Sequence, residues 1–288
     1  MFLCYTIKTY EDRQGGFMSQ TITLNNGIEM PLLGLGMYKA SDTDAESAII
    51  TSATLGYRLF DTASSYKNEE AVGRGIAKCG LPREDVFVTT KIWNNAQRIG
   101  NIEGAFYRSL ERLGLDYVDL YLVHWPVPGC YIDTWKVLEE LLQTGKVKAI
   151  GVSNFSEYEL SELLEHCEVI PAVNQIEFHP LFNQDATRCF CQQNGIAVQA
   201  YAPLARGAYL ENAILQRIAE KYNRSTAQVG LRWILQKGVA VIPKTVRVER
   251  LLENSQIFDF ELDEIEMAAI DGLNENYRSA SIPEDLLK

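Results

Sequence analysis

Long apolar runs are missing from this 288-residue chain. Nothing in it approaches the roughly 18 consecutive apolar residues of a membrane span. The opening Met1 to Tyr10 is apolar in places, but Lys8, Glu11 and Asp12 interrupt it before a signal-peptide core can form. Cations are the minority charge, 27 Lys and Arg against 38 Asp and Glu, and the net charge of -11 opposes binding to a phosphate backbone. Histidine occurs only three times, far apart in the chain, so a His and carboxylate metal cluster has little to build on. The six cysteines (Cys4, Cys79, Cys130, Cys167, Cys189 and Cys191) include no C-x-x-C pair. They suit reduced thiols in the cytosol rather than a zinc site or a disulfide framework. The dinucleotide fingerprint G-x-G-x-x-G is also missing, because Gly34-Leu35-Gly36 is followed by Lys39 where the third glycine belongs. No tract rich in Pro, Gly or Ser divides the chain. The expectation is one cytoplasmic domain over residues 18–288, behind a poorly patterned extension over 1–17, with no metal, no membrane and no nucleic acid.

What is present is ordinary globular material, 47% hydrophobic and 23% charged, with enough to bury a sizeable core. Thr21 to Leu24, then Asn26-Gly27, then Ile28 to Met30 is a hairpin signal, since Asn-Gly supplies the positive φ of a tight turn. Short strands then alternate with helical pattern: Leu32 to Met37, Tyr57 to Asp61, Val86 to Thr90, Val118 to Val123, Ala149 to Val152, Ala172 to Ile176, Ala197 to Tyr201 and Ala240 to Ile242. Such alternation implies parallel pairing through right-handed crossovers. Eight units in a chain of this length predict an α/β fold, a (β/α)8 TIM barrel capped by the N-terminal β-hairpin. Two additional C-terminal helices, Val248 to Ser255 and Leu262 to Leu273, and a weakly patterned tail from Asn274 complete it.

In a parallel barrel the loops leaving the carboxyl ends of the strands form the functional mouth. The stretch Gly56 to Tyr66 ends its strand in Asp61, breaks into Thr62, Ala63, Ser64 and Ser65, and reaches Tyr66 at once. The next two strands end in Thr89-Thr90-Lys91 and in Val123-His124-Trp125. Taken singly, Asp61 suits a helix cap, Lys91 a solvated strand end and His124 a core histidine. Neighbouring strands are about 4.8 Å apart, so together these side chains can converge on one pocket. An ammonium beside a phenol favours phenolate and lowers the phenol pKa, Asp61 can keep Lys91 charged, and His124 can hydrogen-bond a substrate oxygen. That is a general acid for an oxygen gaining negative charge, and an incoming hydride from a cofactor complements it. A cofactor-sensing barrel without turnover and a metal-dependent barrel hydrolase are the alternatives.

Several segments together resemble the aldo-keto reductase family: Gly56-Tyr57-Arg58-Leu59-Phe60-Asp61-Thr62-Ala63, Leu122-Val123-His124-Trp125-Pro126, Gly151-Val152-Ser153-Asn154-Phe155, Asn174 to Pro180, and Ile242-Pro243-Lys244-Thr245. The likeness runs in order from about Ile22 to Leu273. It implies an NADPH-dependent reductase turning an aldehyde or ketone into an alcohol, with Tyr66 as proton donor and Asp61, Lys91 and His124 completing a catalytic tetrad. Ser153, Asn154 and Gln175 would grip the nicotinamide carboxamide, and Tyr201 would stack on its ring. Lys244, Thr245, Arg250, Glu253 and Asn254 would take the adenosine end, Lys244 and Arg250 at its 2'-phosphate. Tyr38, Trp93 and Trp125 would line the pocket for a small-molecule carbonyl of little charge. Pro126 to Ile132 is short, as in the bacterial and protozoan branches that include enzymes similar to 2,5-diketo-gluconate reductase and protozoan prostaglandin F synthase. A monomer is expected.

Overall fold

The computed structural model describes residues 7–11 and 18–287. Of the extension over 1–17, only 7–11 therefore fall within the described residues. They form strand β1 (Ile7–Glu11), antiparallel to β2 (Met18–Thr23), which in turn pairs with β3 (Glu29–Pro31). The turn between β2 and β3 closes as expected from Asn26-Gly27. Gly27 takes φ +84°, a conformation open to glycine at little cost, and Leu24 exchanges backbone bonds with Gly27 and Ile28.

The body is eight parallel strands: β4 (Gly34–Gly36), β5 (Leu59–Asp61), β6 (Phe87–Ile92), β7 (Val118–Val123), β8 (Val147–Ser153), β9 (Val173–Glu177), β10 (Ala197–Tyr201) and β11 (Ala240–Val241). They pair in sequence order, and the ring closes where Leu33 bridges Val241 and the Val241 amide donates to the Leu32 carbonyl at 2.7 Å. The predicted barrel, hairpin and C-terminal helices are all present. Each of β5, β6, β7 and β9 is buried along its whole length, as strands packed by side chains inside and helices outside must be.

Helices α1 (Asp42–Thr54), α2 (Glu69–Lys78), α3 (Asn94–Arg98), α4 (Ile102–Leu113), α5 (Tyr131–Gln143), α6 (Glu157–Leu164), α7 (Asp185–Gln193), α8 (Ala213–Tyr222), α9 (Thr226–Gln236), α10 (Val248–Ser255) and α11 (Glu264–Asp271) form the outer ring. Their starts are chemically marked. Ser225 with Gln228 and Asp263 with Glu266 close capping boxes, a feature whose loss costs about 1 kcal/mol. Helix α2 is seated tightly on α4, for a Cβ on Gly73 would meet the Leu113 carbonyl oxygen at 2.0 Å. Its first residue, Glu69, is buried and accepts from Thr90 of β6 at 2.6 Å and from Arg112 of α4 at 2.7 Å. The loop bearing Tyr66 is thus held from both ends, by β5 before it and by this anchored helix after it.

The tail also takes a defined course. Glu275 and Tyr277 donate backbone bonds to the Leu181 carbonyl, and Ser279 and Ala280 donate to the Glu177 carboxylate at the end of β9. The chain then crosses the barrel mouth and ends in a short 3-10 turn, Glu284–Leu286.

Candidate active site

A cleft of about 970 Å³ opens at the carboxyl ends of the strands. Asp61, Tyr66 and His124 line it, together with Tyr38, Trp93, Trp125, Ser153, Asn154, Gln175, Tyr201 and Lys244. A smaller cavity, about 390 Å³, lies at the opposite end, where β2 and β3 meet the barrel beside Tyr57 and Phe87.

Lys91 is not a solvated strand end. It is fully buried, and its ammonium donates to Asp61 Oδ1 at 2.6 Å, to the Thr62 carbonyl at 2.9 Å and towards the Tyr66 hydroxyl at 3.5 Å. All three of its donors are therefore committed. The loop is short enough to permit this because Ala63 is small and buried, while Ser64 Oγ donates to the Lys91 carbonyl at 2.9 Å. Asp61 Oδ2 accepts from Gln175 Nε2 at 2.7 Å, so both carboxylate oxygens are occupied too. Burial pushes the Asp61 carboxyl up and the Lys91 ammonium down, each towards its neutral form, and their mutual contact works against it.

Tyr66 differs from the expectation in one respect. Its ring is half-exposed, but its phenol end is surrounded by protein, and burial first, then Asp61, Tyr201 and Tyr38, push the phenol well above its usual range. Desolvation and the neighbouring acidic groups set this direction, opposite to the lowering expected from Lys91. The consequence is a phenol that stays protonated across the neutral range, which is the state a proton donor needs. His124 is buried, with its Nδ1 without a partner among the described residues. Burial and then Lys91 hold it well below the ordinary imidazole value, so it is neutral. Its ring stands edge-on to Tyr66 at 5.6 Å and to Trp93 at 5.0 Å, and Tyr38 packs edge-on against Tyr66 at 5.1 Å. These rings wall the phenol with aromatic surface.

On the other side of the cleft Ser153 Oγ donates to the Gln175 carbonyl at 2.8 Å. Asn154, at φ +64°, donates to the His124 carbonyl and to Ser153 Oγ, each at 3.0 Å, and accepts from Tyr201 at 2.7 Å. The strained backbone at Asn154 is a residue type that tolerates that conformation, fixed by three hydrogen bonds. Lys244 alone of the predicted adenosine-end residues lines the cleft. Thr245 is buried and accepts from the Arg247 amide at 3.2 Å, Arg250 is exposed, and Glu253 and Asn254 lie on α10, where the Glu253 carbonyl accepts from Gln228.

This donor set fits a nicotinamide dinucleotide. Amide and hydroxyl side chains face an open groove, Tyr201 offers an aromatic face, and a lysine stands at the exit. Gly36 also lines the groove, packed closely enough that a Cβ there would meet the Ile242 carbonyl oxygen at 3.0 Å.

Two features escaped the sequence. Ala280 to Asp285 of the tail line the cleft, with Asp285 accepting from Asn94 at 3.2 Å and from Arg98. Gln199, fully buried, accepts from Gln175 at 2.7 Å, and the one available signal was a glutamine amid the apolar run Ala197-Val198-Gln199-Ala200.

Comparison with known proteins agrees with this geometry. The Aldo/keto reductase family profile matches residues 32–275. A glyoxal reductase of Bacillus subtilis (strain 168) is 48% identical over 271 residues, which is 94% of this chain and 98% of the relative. A 9,11-endoperoxide prostaglandin H2 reductase of Trypanosoma cruzi (strain CL Brener) is 47% identical over 268 residues, 92% of this chain and 95% of the relative. Among solved structures, a Bombyx mori aldo-keto reductase in complex with NADP superposes with a TM-score of 0.86 at 36% identity, covering 91% of this chain and 95% of that one.

Proposed function

The chain belongs to the aldo/keto reductase family and is an oxidoreductase of carbonyls, and from its cleft we propose that it reduces an aldehyde or ketone to an alcohol with NADPH, Tyr66 giving the proton. The observation that carries this reading is the buried chain Asp61–Lys91–Tyr66, with contacts of 2.6 and 3.5 Å, beneath an aromatic-walled groove. When bound, the nicotinamide supplies a hydride equivalent to the carbonyl carbon. The protein's own part is to hold the carbonyl oxygen between the Tyr66 hydroxyl and the neutral His124 imidazole, a hydrogen-bond donor that costs no charge. An oxygen gaining alkoxide character is a stronger base than phenolate, so a phenol with a raised pKa still gives up its proton. The adjacent ammonium steadies the phenolate left behind. Asp61 keeps that ammonium in place.

Ser153, Asn154 and Gln175 are assigned to the carboxamide, Tyr201 to the ring face, and Lys244, Thr245, Arg250, Glu253 and Asn254 to the adenosine end. Lys244 and Arg250 favour the 2'-phosphate, an anion that needs local cations on a protein of net charge -11. Tyr38, Trp93 and Trp125 form the wall for a substrate of little charge, and the glyoxal reductase likeness supports a short dicarbonyl as the first probe. We extend the reading to a cytoplasmic monomer acting through one domain, residues 18–288.

The test follows NADPH consumption with glyoxal and an aromatic aldehyde, NADH being run beside it. Tyr66→Phe is expected to lower kcat by about 10²- to 10⁴-fold while leaving NADPH affinity unchanged. Full turnover by that variant would remove Tyr66 as the acid, and equal kcat/KM with NADH would remove the phosphate preference.

A further inference from the structure

Inside the barrel, below the cleft, runs a line of side-chain hydrogen bonds that begins outside the four residues assigned to catalysis. Gln199 of β10 and Gln175 of β9 are register neighbours on adjacent strands, and both are buried. Gln175 Nε2 donates to Asp61 Oδ2 and to Gln199 Oε1, each at 2.7 Å. Gln199 in turn turns its own Nε2 to the Met30 sulfur at 3.7 Å. The direction of these bonds is dictated by chemistry. An ionised carboxylate only accepts, so the NH2 of Gln175 must face Asp61. Gln199 presents an oxygen to the same NH2, taking its second hydrogen. With both hydrogens held below, the Gln175 oxygen is the group left for the cleft, which Gln175 lines.

We propose that Gln199 is a positioning residue that locks the Gln175 amide with its oxygen towards the cleft, and so tunes recognition of the NH2 of the nicotinamide carboxamide. This rests on the reading of Gln175 as a carboxamide contact. Asp61 alone holds one hydrogen of the Gln175 amide and leaves the group free to swing about that single bond. Gln199 supplies the second anchor, on the adjacent strand, which fixes the amide plane. The role acts through Gln175 and touches neither substrate nor cofactor.

Binding measures it directly. NADP+ is titrated against its 3-acetylpyridine analogue, which differs only in replacing the carboxamide NH2 by a methyl group. The ratio of their dissociation constants isolates the NH2 contact from the adenosine end. The parent is expected to prefer NADP+ by about 5- to 10-fold, the worth of one hydrogen bond left unpaired. Gln175→Met is expected to erase that preference. Gln199→Met, close in volume, is expected to reduce it to about twofold or less and to change nothing further when added to Gln175→Met. A parent without the preference would fell the reading of Gln175 itself. A parent preference that Gln175→Met erases and Gln199→Met leaves intact would overturn the role of Gln199 while sparing that reading. Should Gln199→Met bind neither dinucleotide, Gln199→Glu decides, because it keeps an acceptor of the same reach. Recovery of the preference supports the proposal, and loss of binding in both variants assigns Gln199 to folding alone.

Discussion

Two carboxylates at the mouth of the same barrel have been put to opposite uses. Asp61, at the end of β5, faces a side-chain ammonium and an amide, and burial pushes its carboxyl up in spite of them. Glu177, at the end of β9, is just as buried by its surroundings. Burial again raises its carboxyl, but His179 and Ser279 together outweigh that and hold it below the usual range. The difference lies in the donors. Asp61 shares one ammonium with a phenol, so its charge remains coupled to a group that can change protonation. Glu177 Oε1 meets His179 Nε2 at 3.1 Å, but it also accepts from the Ser279 amide and hydroxyl, each at 2.6 Å, and from the Ala280 amide at 3.1 Å, so most of its donors do not titrate. On the proposed reading one carboxylate tunes chemistry on the cleft floor, while the other fastens a strap across the top.

The contrast is broken most severely at Lys91. Lys91→Met leaves Asp61 as a buried carboxylate without its counter-charge, which costs about 3–5 kcal/mol of stability. It also removes the charge beside Tyr66, so kcat/KM is expected to fall by roughly 10²- to 10⁴-fold. Adding Asp61→Asn should return most of the stability and none of the activity. Urea unfolding of the two variants separates these effects. A single variant as stable as the parent would mean that the pair contributes no such constraint.

The floor could be read from the sequence because its members are chemically out of place. An acid, a lysine and a histidine at three successive strand ends have few structural excuses, and the strands announce themselves by apolar runs between turns. The pattern also located β7 and β10 to the residue. Other things were invisible for physical reasons. The upward displacement of the Tyr66 phenol depends on how much protein surrounds one oxygen, which no spacing encodes. The strap is fastened by the backbone amides of Ser279 and Ala280, and every sequence carries such amides. Extended chain without a buried face leaves no periodicity to find. Gln199 lay between the two cases, polar in an apolar strand but without a recognisable partner until β9 and β10 were side by side.

Loosening the strap is the next smaller effect. Glu177→Gln keeps an oxygen for the Ser279 donors but removes the charge they bond, and each hydrogen bond to the charged form contributes about 1.5–3 kcal/mol. The amides of Ser279 and Ala280 should lose protection in hydrogen exchange by at least tenfold, and KM for the carbonyl should rise while kcat holds. The pH dependence has a definite sign. The folded-state value lies below the unfolded carboxyl value of about 4.3, so docking contributes stability above that pH and loses it as pH falls through the lower folded value. Protection that faded between pH 8 and 5 would point to a different clasp.

The smallest effect is expected at the far end of the strap, where Arg98 of α3 meets Asp285. Burial raises the Asp285 carboxyl, but Asn94 and Arg98 together outweigh it and bring it below the usual range. Both side chains of this ion pair remain more than a third exposed, so solvent screens them and the pair belongs with surface contacts worth about 0.2–1 kcal/mol. Arg98→Ala is therefore expected to raise KM by no more than about fivefold, and only for carbonyls bulky enough to reach Ile282 and Pro283. Salt should act as the mutation does. At about 1 M, where the screening length is near 3 Å, parent and variant are expected to converge. If the variant instead matched Glu177→Gln in magnitude and kept its effect in salt, the strap would be held from both ends equally. The division between a buried clasp at Glu177 and a screened one at Asp285 would then be lost.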